Sequence, residues 1–361
     1  MKIIFLTSSS TASGGSRQAI YLARGLCEKG HDLTLFAPEG SPLPSIDPSV
    51  PSRVLPARRS RWRAAVEAVL PAKNEPVVVH AFHNKACKLA SLWGLVWKLS
   101  GRKSVVLLNR GVCYRPGNPL PWWSPGVDAV TVNSMACAKV LARIGTPRGR
   151  LRVIYNGVPP TRVSPARSRD AVRAELGIPR DTLVVGSITG DKPVKGVAEL
   201  VRGAALAKAE GFSGRLVLVG ASPEKWTPLA EELGVAELFR FIPRTPAVAD
   251  YLQIFDAFVI SSLSESLPNT LLEACLTGLP VLSTAVGGVP ELIEGRGLIV
   301  APGDPSALSK GLLDMAADAA RRERFAASSR ELAASCTLER KVERTETLYR
   351  ELLAARGFPT D

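Results

Sequence analysis

Twice along the chain, short apolar runs rich in β-branched residues alternate with stretches of helical periodicity, and this alternation limits the fold more than any other feature. In the first half the runs fall at 3–7, 33–36, 77–80, 105–108, 129–132 and 153–155, with helical stretches at 17–28, 85–99 and 134–144. The second half restarts the scheme with runs at 183–188, 216–219, 239–242, 258–261, 281–283 and 298–300. Runs that are apolar throughout are buried on both faces, as in parallel sheets with helical crossovers. Between the two sets, Pro159-Pro160-Thr161-Arg162-Val163-Ser164-Pro165 cannot continue a helix or a central strand. The expectation is an α/β protein of two doubly wound domains, 1–165 and 166–340, followed by a charged helical stretch. Such domains place ligand crevices at the C-terminal ends of their strands.

A chain of 361 residues, 46% hydrophobic, is long enough to bury two cores. Its longest apolar stretches are four to six residues, far short of the ~20 that span a bilayer. No h-region follows the N-terminus, so a cytoplasmic location is expected. Six cysteines without a CxxC pair and only three histidines point away from a disulfide framework and from a metal centre. The net charge of +13 is uneven: residues 1–165 carry 23 Lys and Arg against 7 Asp and Glu, and the remainder is slightly acidic. A field of that kind steers anionic partners: an anionic lipid surface, an acidic acceptor or nucleic acid.

The sharpest local pattern is Glu265-Ser266-Leu267-Pro268-Asn269-Thr270-Leu271-Leu272-Glu273, directly after the run at 258–261. Proline is accepted in a first helical turn, so this reads as a strand-to-helix turn. Glu265 then lies on the loop and Glu273 about one turn into the helix. A helix N-terminus presents unpaired N–H groups and the positive end of its dipole, which suits a pyrophosphate. Carboxylates flanking that point can accept hydrogen bonds from the hydroxyls of a sugar and of a ribose. The plain structural alternative is that both acids serve the helix start through its dipole.

Gly14-Gly15 follow the first run and open the first helix, where a bare backbone can approach a phosphate closely; most Gly-Gly pairs are simply turns. Arg17, at the start of that helix, is a candidate contact to a phosphate or an acceptor. The segment 53–73 holds Arg53, Arg58, Arg59, Arg61, Arg63 and Lys73 around Trp62, with Val66, Val69 and Leu70 behind. A basic helix with an aromatic edge suits an anionic membrane surface; a solvated basic face is the alternative. Trp122-Trp123 is a second candidate contact.

Extended to Ala285-Val286-Gly287-Gly288-Val289-Pro290-Glu291, the Glu265 segment closely resembles the donor-binding segment of family 4 (group 1) glycosyltransferases. The resemblance covers nearly the whole chain. Gly14-Gly15, Val78-Val79-His80-Ala81-Phe82-His83, Val153-Ile154-Tyr155-Asn156-Gly157-Val158 and Pro193-Val194-Lys195-Gly196 fall in the family's order and spacing. It implies a retaining, nucleotide-sugar-dependent enzyme of the GT-B fold, two Rossmann-like doubly wound domains facing each other across a cleft. The first would take the acceptor and the second the donor, with a C-terminal helix at about 341–361 packing back on the first. It further implies that Glu273 binds ribose and that Glu265 binds donor-sugar hydroxyls. Backbone amides from Ser266, Leu267, Pro268, Asn269 and Thr270 would surround sugar and phosphate, and Lys195 would meet the pyrophosphate. Neither metal nor other cofactor is implied. Charge neutralisation at Lys195 helps most as the leaving nucleotide gains negative charge.

Two departures mark this chain. Gly190 stands where the family's arginine is usual; Lys192 reads as a substitute or as a solvated loop lysine, and it lacks the planar fork. The family's histidine after the run at 105–108 is replaced by Asn109-Arg110-Gly111-Val112. Either Arg110 takes that catalytic position and stabilises phosphate charge, or the role is dispensable. In a front-face retaining mechanism the leaving phosphate can itself accept the acceptor's proton. His83 and Asn109 are acceptor-contact candidates, His31 reads as structural, and His80 as either. The expected function is transfer of a hexose from a nucleotide-sugar to a glycan or lipid-linked acceptor, in bacterial surface polysaccharide or lipopolysaccharide synthesis. The enzyme would be cytoplasmic, or peripheral at the inner face of the membrane. Alternatives are a non-catalytic nucleotide-sugar binder or another GT-B enzyme, an epimerase or phosphorylase. Nucleic acid is disfavoured, because no reading motif appears and the acidic half repels a backbone.

Overall fold

The computed structural model of the chain describes residues 1–360 and contains two sheets in which every neighbouring pair of strands is parallel. The first half runs β1 (Lys2–Thr7), α1 (Gly14–Glu28), β2 (Asp32–Pro38), α2 (Leu43–Ile46), β3 (Ser52–Leu55), α3 (Trp62–Glu67) and β4 (Val77–Phe82). It continues with α4 (Asn84–Leu99), β5 (Ser104–Arg110), α5 (Leu120–Trp123), β6 (Ala129–Val132), α6 (Met135–Arg143) and β7 (Leu151–Val153). Then come α7 (Arg169–Glu175), β8 (Val184–Ile188), α8 (Val197–Ala209), β9 (Arg215–Val219), α9 (Pro223–Glu232), β10 (Phe239–Ile242) and α10 (Val248–Leu252). The chain ends with β11 (Ala257–Ile260), α11 (Asn269–Leu276), β12 (Val281–Thr284), α12 (Val289–Ile293), β13 (Leu298–Val300), α13 (Pro305–Ala317), α14 (Ala319–Ser335) and α15 (Leu338–Ala354).

Two units result: Met1–Gly157 with the chain from Thr337 onward, and Val158–Cys336. In the first, the order is β3-β2-β1-β4-β5-β6-β7. Because side chains alternate along a strand, Ile4, Leu6, Val77, Val79, Val106, Leu108, Val130 and Val132 pack under α3, α4, α5 and α6. The alternate positions, among them Phe5 and His80, face α15, where the Tyr349 hydroxyl and His80 Nδ1 share a hydrogen bond of 2.7 Å. Complete burial, with the Lys341 charge nearby, pushes His80 down to about 3, so it is a neutral core residue, and its Nε2 pairs with Thr131 Oγ1 at 3.0 Å. His31 is tied to Glu346 of α15 at 3.0 Å, a structural contact.

The second unit has the order β10-β9-β8-β11-β12-β13, with the reversal between β8 and β11 typical of a doubly wound sheet. Both crossings between units fall before the expected boundaries at 165 and 340. The first falls early because the proline-rich segment packs with the second unit. Pro160–Val163 forms a 3₁₀ turn that packs on α10 and α11, and the buried Asp250 carboxylate accepts from the backbone N–H groups of Ala166 (2.7 Å) and Arg167 (3.1 Å).

The basic segment 53–73 is also built differently from the single helix expected. Val54 and Leu55 extend as β3 alongside β2, Arg59–Arg61 form a 3₁₀ turn, and only Trp62–Glu67 is α-helical. Trp62 is buried, its Nε1 donating to the Pro56 carbonyl at 2.7 Å, so it offers no aromatic edge to a surface. Trp122 is buried as well, and Trp123 is half-exposed. No helix among the described residues is long and apolar enough to cross a membrane.

Candidate functional site

At the C-terminal end of β11 the second unit gathers Lys195, Ser262 and Glu265. Lys195 ends a 3₁₀ turn, Pro193–Lys195, and the following Gly196 adopts φ 64°. A Cβ on Gly196 would lie 1.9 Å from the Ser261 carbonyl oxygen, so only glycine lets this turn press against the strand end. Ser261 Oγ donates to the Lys195 carbonyl at 3.1 Å and completes the junction. The result is an ion pair of 2.6 Å between Lys195 Nζ and Glu265 Oε1, with Ser262 Oγ donating to the same oxygen at 2.9 Å. Among the described residues nothing takes Glu265 Oε2.

The loop carrying Glu265 is fixed from the other side by the second Gly-Gly pair. Gly287 has φ 53°, and a Cβ there would meet the Glu265 and Ser266 carbonyl oxygens at 2.3 and 2.5 Å. The N–H of Gly288 donates to the Ser266 carbonyl. This is the physical content of the glycines twenty-odd residues after Glu265. Pro268 is the N-cap of α11, with extended backbone, and has no side-chain oxygen to cap the first turn. Leu267 is buried, Asn269 and Thr270 form that first turn, and the positive end of the helix therefore opens beside Glu265.

Glu273 lies one turn further along α11 and is only 3% exposed. Its counter-ion is Arg162, whose Nε donates to Oε1 at 3.1 Å while Nη2 lies 3.0 Å from the same oxygen as an ion-pair contact. As with Glu265, no described residue takes Oε2. Both carboxylates are thus satisfied on one oxygen and open on the other. Lys192 is exposed and without a charged partner among the described residues, so the structure does not bring it into this group. A Cβ on Gly190 would meet nothing within 4 Å. The turn between them is held by Asp191, which accepts from Ser222 N at 2.9 Å, Ser222 Oγ and Trp226 Nε1 at 2.8 Å. Partial burial raises the Asp191 carboxyl, and these bonds outweigh it and hold it below its usual range.

The first unit holds the remaining candidates. Gly14 and Gly15 form the first turn of α1, capped by Ser13, whose Oγ accepts from Ser16 N at 3.2 Å. His83 precedes α4 with φ 71° and ψ 149°, a region strained for a non-glycine residue. It is pinned by Thr7 at 2.8 Å through Nδ1 and by Ser16 at 3.4 Å through Nε2, and burial lowers its pKa. The structure therefore sets His83, neutral and held, beside the Gly14-Gly15 turn. Arg17 is half-buried on the same helix without an ion pair among the described residues. Asn109 is oriented by Nδ2 donating to Thr131 Oγ1 at 3.1 Å.

Arg110, the catalytic candidate of the sequence, is enclosed by packing in the structure. It is 2% exposed, donates to Asn84 Oδ1 at 3.3 Å and to the Tyr114 carbonyl, and lies against the rings of Tyr114 (5.2 Å) and Trp122 (5.3 Å). Burial lowers its pKa. Nη1, Nη2 and the guanidinium faces hold Asn84 and the 111–122 loop against β5, while Nε is buried without a partner among the described residues. Sequence reasoning missed Ser262 and Arg162. Ser262 directly follows a predicted strand and had a positional signal; Arg162, 111 positions from its partner, had none.

With this geometry in place, comparison with known proteins is informative. Residues 168–332 match the family model described as glycosyl transferases group 1, and residues 12–162 match glycosyltransferase family 4. A D-inositol 3-phosphate glycosyltransferase of Streptomyces avermitilis is 33% identical over 214 residues, 55% of this chain and 46% of that protein. The N-acetyl-alpha-D-glucosaminyl L-malate synthase of Bacillus anthracis is 27% identical over 231 residues, 63% of this chain and 60% of that one. The chain spans about half the length of the curated relatives it matches. Among solved structures, Anabaena HepE in complex with UDP superimposes with a TM-score of 0.82 at 19% identity, over 96% of this chain and 99% of that one. WaaG, a glycosyltransferase involved in lipopolysaccharide biosynthesis, gives 0.66 at 21% identity, over 95% and 98%. At these identities the likeness shows the fold, which is GT-B.

Proposed function

The chain belongs to the family 4 (group 1) glycosyltransferases, and from that premise we propose that it moves a hexose, with retention of configuration, from a nucleotide-sugar donor to a glycan or lipid-linked acceptor. The observation that carries the reading is the pair of half-satisfied carboxylates on either side of the α11 N-terminus, with Lys195 between donor and protein charge. Glu273 Oε2 accepts from the ribose, Glu265 Oε2 accepts from the donor sugar, and the diphosphate lies at the helix end beside Lys195. Lys195 leaves Glu265 for the diphosphate as the glycosidic bond breaks, so its charge is applied where charge develops. Within the first unit Gly14 and Gly15 are the donor-binding candidates, and His83, Arg17 and Asn109 are the acceptor candidates. Lys195 supplies the cation that the leaving group needs, and the reaction as proposed uses neither metal nor cofactor.

HepE was solved with UDP and with UDP-glucose, which supports a nucleotide-sugar as donor. For the acceptor, two of the relatives carry inositol 3-phosphate and malate in their names, both anions. The basic first half favours an anionic acceptor here too, either small or presented at an anionic membrane. The membrane reading draws on the layer of helices α3, α4 and α5. Leu92, Val96 and Leu99 (54%, 39% and 81% exposed) follow Lys85 and Lys88 along one stripe of α4, with Leu120 of α5 and the arginines Arg58, Arg59 and Arg61 on the same side of the sheet. This gives peripheral docking at the inner face of a cell membrane, in lipopolysaccharide or surface polysaccharide synthesis. Titration calorimetry with UDP-, GDP- and ADP-sugars tests the donor reading. One donor should bind, and Glu273→Ala should weaken it; a panel that binds nowhere, or binds Glu273→Ala equally, overturns it.

A further inference from the structure

Arg162 has no part in the motifs that mark the donor site, yet it is the residue that holds Glu273. It sits in the 3₁₀ turn Pro160–Val163, ahead of the first helix of its unit. That turn is anchored independently of the arginine, by packing on α10 and α11 and by Asp250 gripping the next segment through Ala166 and Arg167. From this platform Arg162 approaches a single oxygen, Oε1 of Glu273, with Nε donating at 3.1 Å and Nη2 in ion-pair contact at 3.0 Å, rather than one nitrogen to each oxygen. A guanidinium making a fork-to-fork pair would engage both carboxylate oxygens and leave a ligand only their remaining lone pairs. The side-on geometry leaves Oε2 open, fixes the side-chain torsions of Glu273, and supplies the counter-charge that a carboxylate 3% exposed requires.

We propose that Arg162 is a positioning residue for nucleotide recognition: it presents Glu273 Oε2 to the ribose hydroxyls without touching the nucleotide itself. This rests on the reading of Glu273 given above and deepens it. Specificity for a ribose over a sugar lacking those hydroxyls is then set by the ordering of one side chain from a segment outside the sheet and its crossover helices.

The test compares UDP, GDP and ADP on the full chain by calorimetry, takes the tightest, and repeats the measurement with its 2′,3′-dideoxy counterpart. Wild type should bind the ribonucleotide roughly ten- to hundredfold better than the dideoxy form, as expected for a lost charged hydrogen bond. Arg162→Gln should lose most of that ratio by weakening the ribonucleotide and leaving the dideoxy form unchanged, with KM raised and kcat little altered. Arg162→Lys, which keeps a point charge but not the planar guanidinium, should recover part of the ratio. An Arg162→Gln variant that weakens both nucleotides equally, or neither, while wild type discriminates, overturns this inference alone. A wild type that does not discriminate overturns the ribose role of Glu273 and this inference with it. Unfolding midpoints confirm that each variant is folded, and Arg162→Lys keeps the comparison decisive should Arg162→Gln fail to fold.

Discussion

Replacing Lys195 with alanine separates ground-state binding from transition-state stabilisation. In the structure Nζ lies 2.6 Å from Glu265 Oε1, with a third of the lysine side chain exposed. The substitution removes one charge-assisted hydrogen bond, worth about 1.5–3 kcal/mol. It also removes the unit charge facing the diphosphate. Two unit charges ~4 Å apart interact by about 4 kcal/mol at an effective dielectric of ~20, and partial exposure reduces that. Only the share that grows as the leaving nucleotide gains charge reaches kcat. We expect kcat to fall about 10- to 100-fold, equivalent to roughly 1.4–2.8 kcal/mol, with the donor KM rising less than about tenfold. Glu265 keeps the Ser262 hydrogen bond, so the loop should stay in place. The assay is initial-rate release of nucleoside diphosphate, with the unfolding midpoint measured in parallel. A raised KM with unchanged kcat would show that Lys195 binds ground and transition states equally and would refute the reasoning.

Arg110→Ala should cost about 2–4 kcal/mol of stability by denaturant unfolding, from lost stacking and unpaired neighbours, while kcat/KM per folded molecule stays near wild type; an intact fold with a hundredfold slower turnover would restore Arg110 to the catalytic machinery. Glu346 is raised by burial but lowered more by donation from Lys29, Arg350 and His31, to about 2, below its ordinary 4.5. A depressed carboxylate contributes stability above its unfolded pKa and loses it as pH falls toward the folded value, so wild type should lose stability between pH 4.5 and about 2 more steeply than Glu346→Gln; parallel acid-unfolding curves would contradict this. Replacing Leu92, Val96 and Leu99 with serine, or Arg58, Arg59 and Arg61 with glutamine, should reduce sedimentation with anionic liposomes and leave nucleotide binding unchanged; docking should weaken with salt, and a wild type that ignores such liposomes at low salt removes the membrane reading.

The strands were legible because they are short, apolar and β-branched, and their alternation with helical stretches dictates parallel pairing. All six runs of the second half coincide with β8 to β13 within a residue at either end. β3 was hidden because only Val54 and Leu55 carry a strand signal, and the surrounding arginines read as a basic helix. The proline-rich segment misled in a similar way. Proline reports that a helix or central strand cannot pass, but it says nothing of whether the segment packs, and here Asp250 and the α10–α11 surface hold it.

At the site, the family resemblance placed Lys195 and Glu265 in one donor group, and the structure brings them together because Gly196 presses its turn on the Ser261 carbonyl and Gly287 presses its loop on the carbonyls of Glu265 and Ser266. What the sequence could not convey was pairing over distance. Arg162 with Glu273 depends on the turn being anchored, and the burial of Arg110 depends on aromatic residues 4 and 12 positions further along folding back over it. An arginine in a motif position looks the same in sequence whether its charge faces a ligand or a pair of rings.

The central claim is sugar transfer with retention from a nucleotide-sugar, and the most direct measurement follows the donor itself by proton NMR in the presence of the full chain. The donor identified by calorimetry should be consumed, slowly by water alone and faster with an anionic polyol acceptor. The first-formed product should keep the donor's anomeric configuration, and Glu273→Ala should slow the reaction about 5- to 50-fold at donor concentrations near the wild-type KM. A product of inverted configuration would contradict the retaining reading. A donor that binds, is never consumed with any acceptor, and is released unchanged would contradict the enzyme and leave a nucleotide-sugar-binding protein in its place.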